Sequence, residues 1–168
     1  MTAALSAAQK ETLDKFISGA YKLDLLVRFL TEEQLNKSIV PGEWSIRQIV
    51  HHVADDGDAW CMVAKKALAV PGTPVAFTGF PGNEPWADAL AFDKRPIPGS
   101  LALIKSHRHV MAELAVCFPE KWEQSISFAI PDSKESVNIT FAQILFMLTS
   151  HVTEHITTIE AIKQKHGI

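Results

Sequence analysis

Two histidines stand four residues apart near the end of the sequence, at His151 and His155. In a helix of about 3.6 residues per turn, both fall within about 80° of the apolar Leu148 and Ile159, so the spacing predicts two imidazoles that face the protein interior. A buried imidazole without a hydrogen-bonding partner costs about 1–3 kcal/mol. We therefore expect a bound group to satisfy the two rings.

A metal ion is the simplest such group, because side chains at positions i and i+4 of a helix lie about 5–6 Å apart at Cβ and can converge on one ion. A third ligand has to come from another helix. The segment "HHVADD" at 51–56 supplies it, since His52 lies about 60° to one side of the apolar stripe of its helix, whereas His51 points well away from the stripe. The sequence therefore predicts a metal site formed by His52, His151 and His155.

A carboxylate could support this site. Asp56 follows His52 by one helical turn and projects near the same stripe, where it could orient a ligand or accept a proton, whereas Asp55 turns outward. A solvated surface charge explains Asp56 equally well. The catalytic residues stay unknown at this stage, with Asp56 as the candidate.

The remaining histidines suggest no chemistry. His107 and His109 are two residues apart, so they face different sides of their helix, and we expect both to be solvated, with His109 near Glu113. His166 lies in the last helical turn, where a cation complements the helix dipole.

Two known kinds of metal site can be set aside. The string "HVTEH" matches the pattern of inverted zinc peptidases, with Glu154 in the place of the general base. Those enzymes need a further glutamate ligand far downstream, and only 13 residues follow His155. A di-iron site of the ferritin kind is excluded because its paired Glu-x-x-His motifs are missing.

Helix signals position these residues. Capping boxes predict three helix starts: Ser6 with Gln9, Ser45 with Gln48, and Thr140 with Gln143. Apolar periodicity predicts four long helices, at about 7–30, 46–69, 99–117 and 141–165. The expected fold is all-α, a four-helix bundle.

Two decorations interrupt the predicted bundle. A long crossover loop at about 70–98 is rich in proline and glycine, with one helical turn at "WADALAF". Its aromatic residues Phe77, Phe80 and Trp86 could wall an apolar pocket beside the metal or only cover the bundle. The strings "SISFAI" and "VNITF" alternate around "PDSKES", which predicts a small β-hairpin before the last helix.

Bulk properties bound the class of protein. We expect one domain over 1–168, since this length can bury a substantial core. A net charge of -3 without a basic cluster argues against nucleic-acid binding. The sequence has neither a secretory signal nor a long uncharged apolar run, so no membrane association is expected. Cys61 and Cys117 are expected to be buried, reduced thiols of a cytoplasmic protein.

The segments "PGEWSIRQIVHHVADDGDAW" at 41–60 and "SHVTEHI" at 150–156 resemble the DinB/YfiT-like superfamily of metal-dependent hydrolases, especially the branch that includes bacillithiol transferase. The resemblance covers nearly the whole chain. It implies a four-helix bundle that binds a divalent ion, nickel or zinc, through three histidines that map onto His52, His151 and His155. It also implies a homodimer, since members are often dimers.

Two functions follow from these features. Three neutral histidines leave a coordination position open, as in catalytic zinc sites. As an enzyme, the protein would use its ion for hydrolysis or for transfer of a low-molecular-weight thiol to a small electrophile, and the resemblance favours thiol transfer. The alternative is a non-catalytic stress-related or interaction bundle in which a structural metal ties two helices together.

Overall fold

The computed structural model describes residues 4–130 and 135–168. Its elements in chain order are α1 (Ala7–Val27), α2 (Glu32–Leu35), α3 (Ile46–Ala69), β1 (Pro74–Val75), α4 (Asn83–Ala89), α5 (Pro98–Cys117), a short 3-10 turn (Pro119–Lys121), β2 (Ser125–Ala129), β3 (Ser136–Thr140) and α6 (Phe141–His166). The long helices α1, α3, α5 and α6 pack together as a bundle. The predicted four-helix bundle is therefore confirmed.

Capping boxes begin the helices as predicted. At Ser45, the hydroxyl accepts from the Gln48 amide while the Gln48 side chain accepts from the Ser45 amide, and the boxes of α1 and α6 have the same pair of bonds. A fourth box, Thr31 with Gln34, was not predicted. It also explains why α1 ends at Val27 rather than near residue 30, because the extended backbone of Thr31 starts a separate helix.

The helices α3 and α6 run antiparallel and share two core clusters. The first half of α3 packs with the second half of α6, in a cluster that includes Val53 and Val152. The second half of α3 packs with the first half of α6, in a cluster that includes Cys61 and Leu148. The part of α3 that carries His52 therefore packs directly against the part of α6 that carries His151 and His155.

Close packing of α1 fixes the position of α6. A Cβ atom placed on Gly19 of α1 would lie 2.7 Å from Cγ1 of Val152, so only glycine allows the observed approach. Val152 is fully buried and follows His151 directly. The absence of a side chain at Gly19 therefore lets the part of α6 that carries His151 pack close to α1.

The predicted β-hairpin is confirmed in β2 and β3, which pair antiparallel, with Ile126 opposite Ile139. Residues 131–134 of the predicted turn lie outside the described residues. The strand β1 was not predicted, because two residues are too short to show alternation. It pairs parallel with β2, with Val75 beside Phe128, and the three strands form a sheet in the order β1-β2-β3.

The crossover between α3 and α5 contains β1 and α4 rather than a structureless loop. The helix α4 includes Trp86 and Ala89 but begins at Asn83, earlier than the predicted turn. Within the described part of the chain, no helix combines the length and the apolar character that crossing a bilayer requires.

Candidate metal centre

The structure brings together the three histidines that the sequence singled out. We call His52, His151 and His155 the histidine cluster. Nε2 of His151 lies 3.0 Å from Nε2 of His52 and 3.0 Å from Nε2 of His155. One ring nitrogen from each residue falls within 4.8 Å of the other two, so the cluster could hold a metal ion.

Hydrogen bonds among the rings do not satisfy this arrangement. The Nε2 atom of a neutral imidazole carries either one proton or one lone pair. Nε2 of His151 nevertheless faces two other Nε2 atoms at the same distance. A cation that accepts all three lone pairs resolves the conflict, and imidazole nitrogens are common ligands of zinc and nickel. The donor set therefore fits a divalent transition metal.

Burial keeps the rings in the neutral form that binds metals. Burial, with the neighbouring histidines as a second cause, lowers the pKa of His52 to about 3. The same two causes lower the pKa of His151 to about 4, with a further contribution from the Arg108 charge, and burial lowers the pKa of His155. The three rings are therefore uncharged at neutral pH, and each can offer the lone pair of one nitrogen to a metal ion.

Asp56 is the carboxylate beside the cluster. Its Oδ2 lies 3.4 Å from Nε2 of His151, and its Oδ1 lies 4.0 Å from Nδ1 of His52. Burial, and then the charge of Asp55, raises the pKa of the Asp56 carboxyl to about 6. Because both histidines are neutral, these contacts are not ion pairs at neutral pH. The carboxylate is placed to accept a hydrogen bond or a proton from a group bound at the cluster.

Trp44 and Arg108, two side chains near the cluster, pack against or hydrogen-bond to neighbouring residues. The Trp44 ring meets the His52 ring edge-on, with centroids 4.7 Å apart. Arg108 of α5 is buried, donates from Nη2 to the carbonyl of Leu148 at 2.8 Å, and lies 4.1 Å from the centre of the Phe16 ring. The sequence analysis missed Arg108, although its position four residues after Ile104 on an apolar helix face was a usable signal.

The other residues of the "HHVADD" segment hold neighbouring elements. His51 points away from the cluster, as predicted, and is fully buried against Ser100 Oγ at 2.8 Å and the Arg95 carbonyl at 3.0 Å. Asp55 accepts a hydrogen bond from Nε1 of Trp86 at 2.9 Å. This bond ties the crossover to α3 one residue before Asp56.

Three expectations are corrected. His107 is not solvated: its side chain is 17% exposed and its Nε2 lies 2.8 Å from Asp58, because Gly57 leaves room for the ring. His109 is exposed, but it bonds the Tyr21 hydroxyl at 2.7 Å rather than Glu113. Cys117 is exposed, since it is the last residue of α5, whereas Cys61 is buried as predicted; both are free thiols.

The crossover aromatics form two groups. Phe77 packs on Trp60 of α3 and on Phe128 of β2. Phe80 packs on Trp86, whose indole is held by Asp55 as described above. Phe77, Phe80 and Trp86 each leave more than a third of their surface exposed.

Two Bacillus proteins are similar in sequence to this chain along most of its length. The Bacillus subtilis protein named "Putative metal-dependent hydrolase YfiT" is 29% identical over 164 residues, covering 94% of this chain and 88% of the relative. A Bacillus licheniformis protein with the same hydrolase description is 29% identical over 167 residues, covering 95% and 90%.

Solved structures agree with this relationship. YfiT from Bacillus subtilis, described as having an unusual four-helix bundle topology, superposes with a TM-score of 0.81 at 24% identity, over 99% of this chain and 93% of that one. A mycothiol-dependent maleylpyruvate isomerase superposes with a TM-score of 0.61 at 20% identity, over 92% and 61%. A family model described as the DinB superfamily matches residues 19–159. The chain belongs to the DinB superfamily.

Proposed function

We propose that this protein is a metal-dependent enzyme in which His52, His151 and His155 hold one divalent ion, nickel or zinc, and a small molecule reacts beside it. The convergence of three neutral Nε2 atoms carries this proposal. Three nitrogen donors leave a coordination position for a reactant, which is typical of catalytic rather than structural zinc sites.

The reaction we favour is transfer of a low-molecular-weight thiol to a small electrophile. An ion held by His52, His151 and His155 would supply Lewis acidity, which would lower the pKa of a thiol or water bound to it. Asp56 Oδ2, close to His151, takes the proton released as the sulfur attacks. The sulfur–carbon bond forms while a leaving group departs with its electron pair, and Asp56 then returns the proton to solvent.

Hydrolysis by the same site is the second candidate, with water in place of the thiol. The hydrolase description of the Bacillus relatives supports it. The mycothiol dependence of a structural relative and the resemblance to bacillithiol transferases support thiol transfer. The two reactions share the ion and Asp56, and they differ only in the nucleophile.

A turnover screen tests the proposal. Purified protein is loaded with zinc or nickel and incubated with cysteine and chlorodinitrobenzene, or with a nitrophenyl ester and no thiol. We expect turnover that EDTA abolishes and the added metal restores, while the circular dichroism spectrum stays unchanged. If the loaded protein is inactive in both assays and chelation instead unfolds it, the protein is a non-catalytic bundle in which the metal has a structural role.

We also propose that the protein is a cytoplasmic homodimer. Two free thiols, one of them exposed, suit a reducing compartment. Tyr21, Leu25 and Phe29 follow one another at four-residue spacing on α1 and just after it, and are 44%, 60% and 83% exposed. An exposed apolar stripe of this kind is typical of a subunit interface.

A further inference from the structure

A row of side chains on α3 leads away from the histidine cluster. His52, Asp56 and Trp60 are spaced by four residues, so they lie on one side of the helix. Trp60 is one turn, or about 6 Å along the axis, beyond Asp56. The row therefore connects the candidate metal centre with the aromatic residues of the crossover.

Trp60, Phe77 and Phe128 form what we call the aromatic cluster. The rings of Trp60 and Phe128 stack with centroids 5.2 Å apart and planes at 27°. Phe77 meets both rings edge-on, with centroids 5.3 Å away in each case. These separations are the favourable ones for aromatic pairs. Phe77 is 38% exposed, so the aromatic cluster has a face open to a ligand.

Backbone pairing holds the aromatic cluster in place. Phe77 comes two residues after β1, and the pairing of Val75 with Phe128 brings β1 alongside β2. The Ser127 amide donates to the carbonyl of Thr73 at 3.1 Å and continues this register. The pairing of β1 with β2 therefore brings the segment that carries Phe77 beside Phe128, where the Phe77 ring is already packed.

A second aromatic pair, Phe80 and Trp86, is joined to α3 by a hydrogen bond. Nε1 of Trp86 is bonded to Asp55, the residue before Asp56, and Phe80 lies 5.7 Å from the Trp86 ring. The loop between Phe77 and Trp86 is thus tied to α3 and to β2 at its two ends. Ring surfaces flank the α3 segment that carries the carboxylates.

Charge indicates what kind of ligand this surface suits. A molecule that extends from the histidine cluster to Trp60 has to pass Asp56, with Asp55 on the neighbouring helix position. Anionic groups are repelled there, whereas an uncharged planar ring gains contact with the aromatic cluster. One or two rings are long enough to reach from Asp56 to Trp60.

We propose that the aromatic cluster binds the uncharged, planar apolar part of the electrophile, and that Phe77 is the residue that determines this specificity. The inference rests on the proposed function, since it concerns the substrate of the same site. The electrophile is therefore expected to be aromatic, or a similarly flat, uncharged molecule.

Two electrophiles test the inference with zinc-loaded protein and cysteine as the thiol. Chlorodinitrobenzene is aromatic, and the sulfur displaces its chloride; iodoacetamide has no ring, and the sulfur displaces its iodide. We expect Phe77→Ala to lower kcat/KM for chlorodinitrobenzene about tenfold, mainly through KM, and to change that for iodoacetamide less than about twofold. Phe146→Ala, on a 69% exposed residue of α6, is the matched control and should leave both reactions unchanged.

A second variant separates stacking from packing. Phe77→Leu keeps apolar volume but lacks a flat ring, so it should retain the thermal midpoint and still lose the preference for the aromatic electrophile. Equal losses for both electrophiles in Phe77→Leu, or no loss for chlorodinitrobenzene in Phe77→Ala, would overturn the inference.

A binding measurement keeps the inference apart from the proposed function. Unreactive dinitrobenzene is titrated against each variant by saturation-transfer NMR. We expect saturable binding to the wild type and to Phe146→Ala, weakened about tenfold in Phe77→Ala. If the wild type binds dinitrobenzene in this way but catalyses no reaction, the proposed function fails and the aromatic site stands. If dinitrobenzene binds equally to wild type and Phe77→Ala, the aromatic site is wrong whatever the activity.

Discussion

Oδ2 of Asp56 lies 3.4 Å from Nε2 of His151, the nitrogen that faces both other histidines of the cluster. The carboxylate therefore lies beside the point at which the nitrogens of the three rings converge. We expect this carboxylate to act as a proton acceptor for a reactant at the cluster.

Replacing Asp56 with Asn removes the proton acceptor and keeps the shape of the side chain. We expect kcat/KM to fall about 10²–10⁴-fold, because the thiol or water then loses its proton to bulk solvent. Metal content should stay at the wild-type level, which is measured by elemental analysis alongside the kinetics.

The matched control is Glu154→Gln, which alters an exposed acid beside His155. It should keep wild-type activity, in agreement with the rejection of the peptidase pattern. A loss of activity in Glu154→Gln comparable to that in Asp56→Asn would contradict the role assigned to Asp56.

Replacing His151 with Ala removes the nitrogen at the centre of the cluster. Metal bound after dialysis should fall from about one ion per chain to background, because two imidazoles make a weak site. Mass spectrometry of the native protein and elemental analysis give the stoichiometry. The control is His109→Ala, an exposed histidine on α5 that bonds Tyr21; it should bind metal like the wild type. Retention of the ion by His151→Ala would refute the site.

Replacing Gly19 with Ala should destabilise the bundle by about 1–3 kcal/mol, because its Cβ would lie 2.7 Å from Val152. Urea denaturation measures the change. The matched control is Gly99→Ala near the start of α5, where a Cβ meets nothing within 4 Å. That substitution should leave stability unchanged or raise it by up to about 1 kcal/mol. Equal effects of the two substitutions would exclude the close contact between α1 and α6 as the cause.

The two thiols should differ in reactivity. Burial raises the pKa of the Cys61 thiol to about 11, whereas Cys117 is exposed. Only a thiolate attacks the reagent dithiobis(nitrobenzoate), so at pH 8 the native protein should release about one equivalent quickly and the second slowly. In urea, both should react quickly. Two fast equivalents from the native protein would contradict the burial of Cys61.

The same shift implies a pH effect on stability. The folded chain holds the Cys61 proton to a higher pH than the unfolded chain, whose thiol has the ordinary pKa of 9.0. Keeping the Cys61 thiol protonated therefore contributes to the free energy of unfolding. This contribution is complete below pH 9 and is lost as the pH rises toward about 11. In urea denaturation between pH 9 and pH 11, the free energy of unfolding should therefore fall less in Cys61→Ala than in the wild type.

The exposed stripe on α1 predicts the oligomeric state. Wild-type protein should have about twice the chain mass of 18.5 kDa in light scattering, and the double variant Leu25→Lys, Phe29→Lys should be monomeric because the charges cannot be buried. Phe146→Lys, which places the same charge on α6, should remain dimeric. A wild-type monomer at high concentration would show that the stripe is not a subunit interface.

Several features could be predicted because they depend on neighbours along the chain. The four-residue spacing of His151 and His155 places both rings on one helix face, and Ser45 with Gln48 marks the start of α3 through bonds within one turn. Such signals are complete within a short window of sequence. They were sufficient for the bundle and for choosing the members of the histidine cluster.

Other features depend on contacts between distant segments, and no short window contains them. The partial burial of His107 depends on the space beside Gly57. The position of Trp86 depends on its hydrogen bond to Asp55, and β1 forms only because it pairs with β2. The sequence by itself placed the rings of His151 and His155 on one face of α6 and selected His52 of α3 as their partner. Only the tertiary structure decided that their nitrogens meet 3.0 Å apart beside Asp56, because the depth and register of α3 and α6 are set by side-chain packing across the whole bundle.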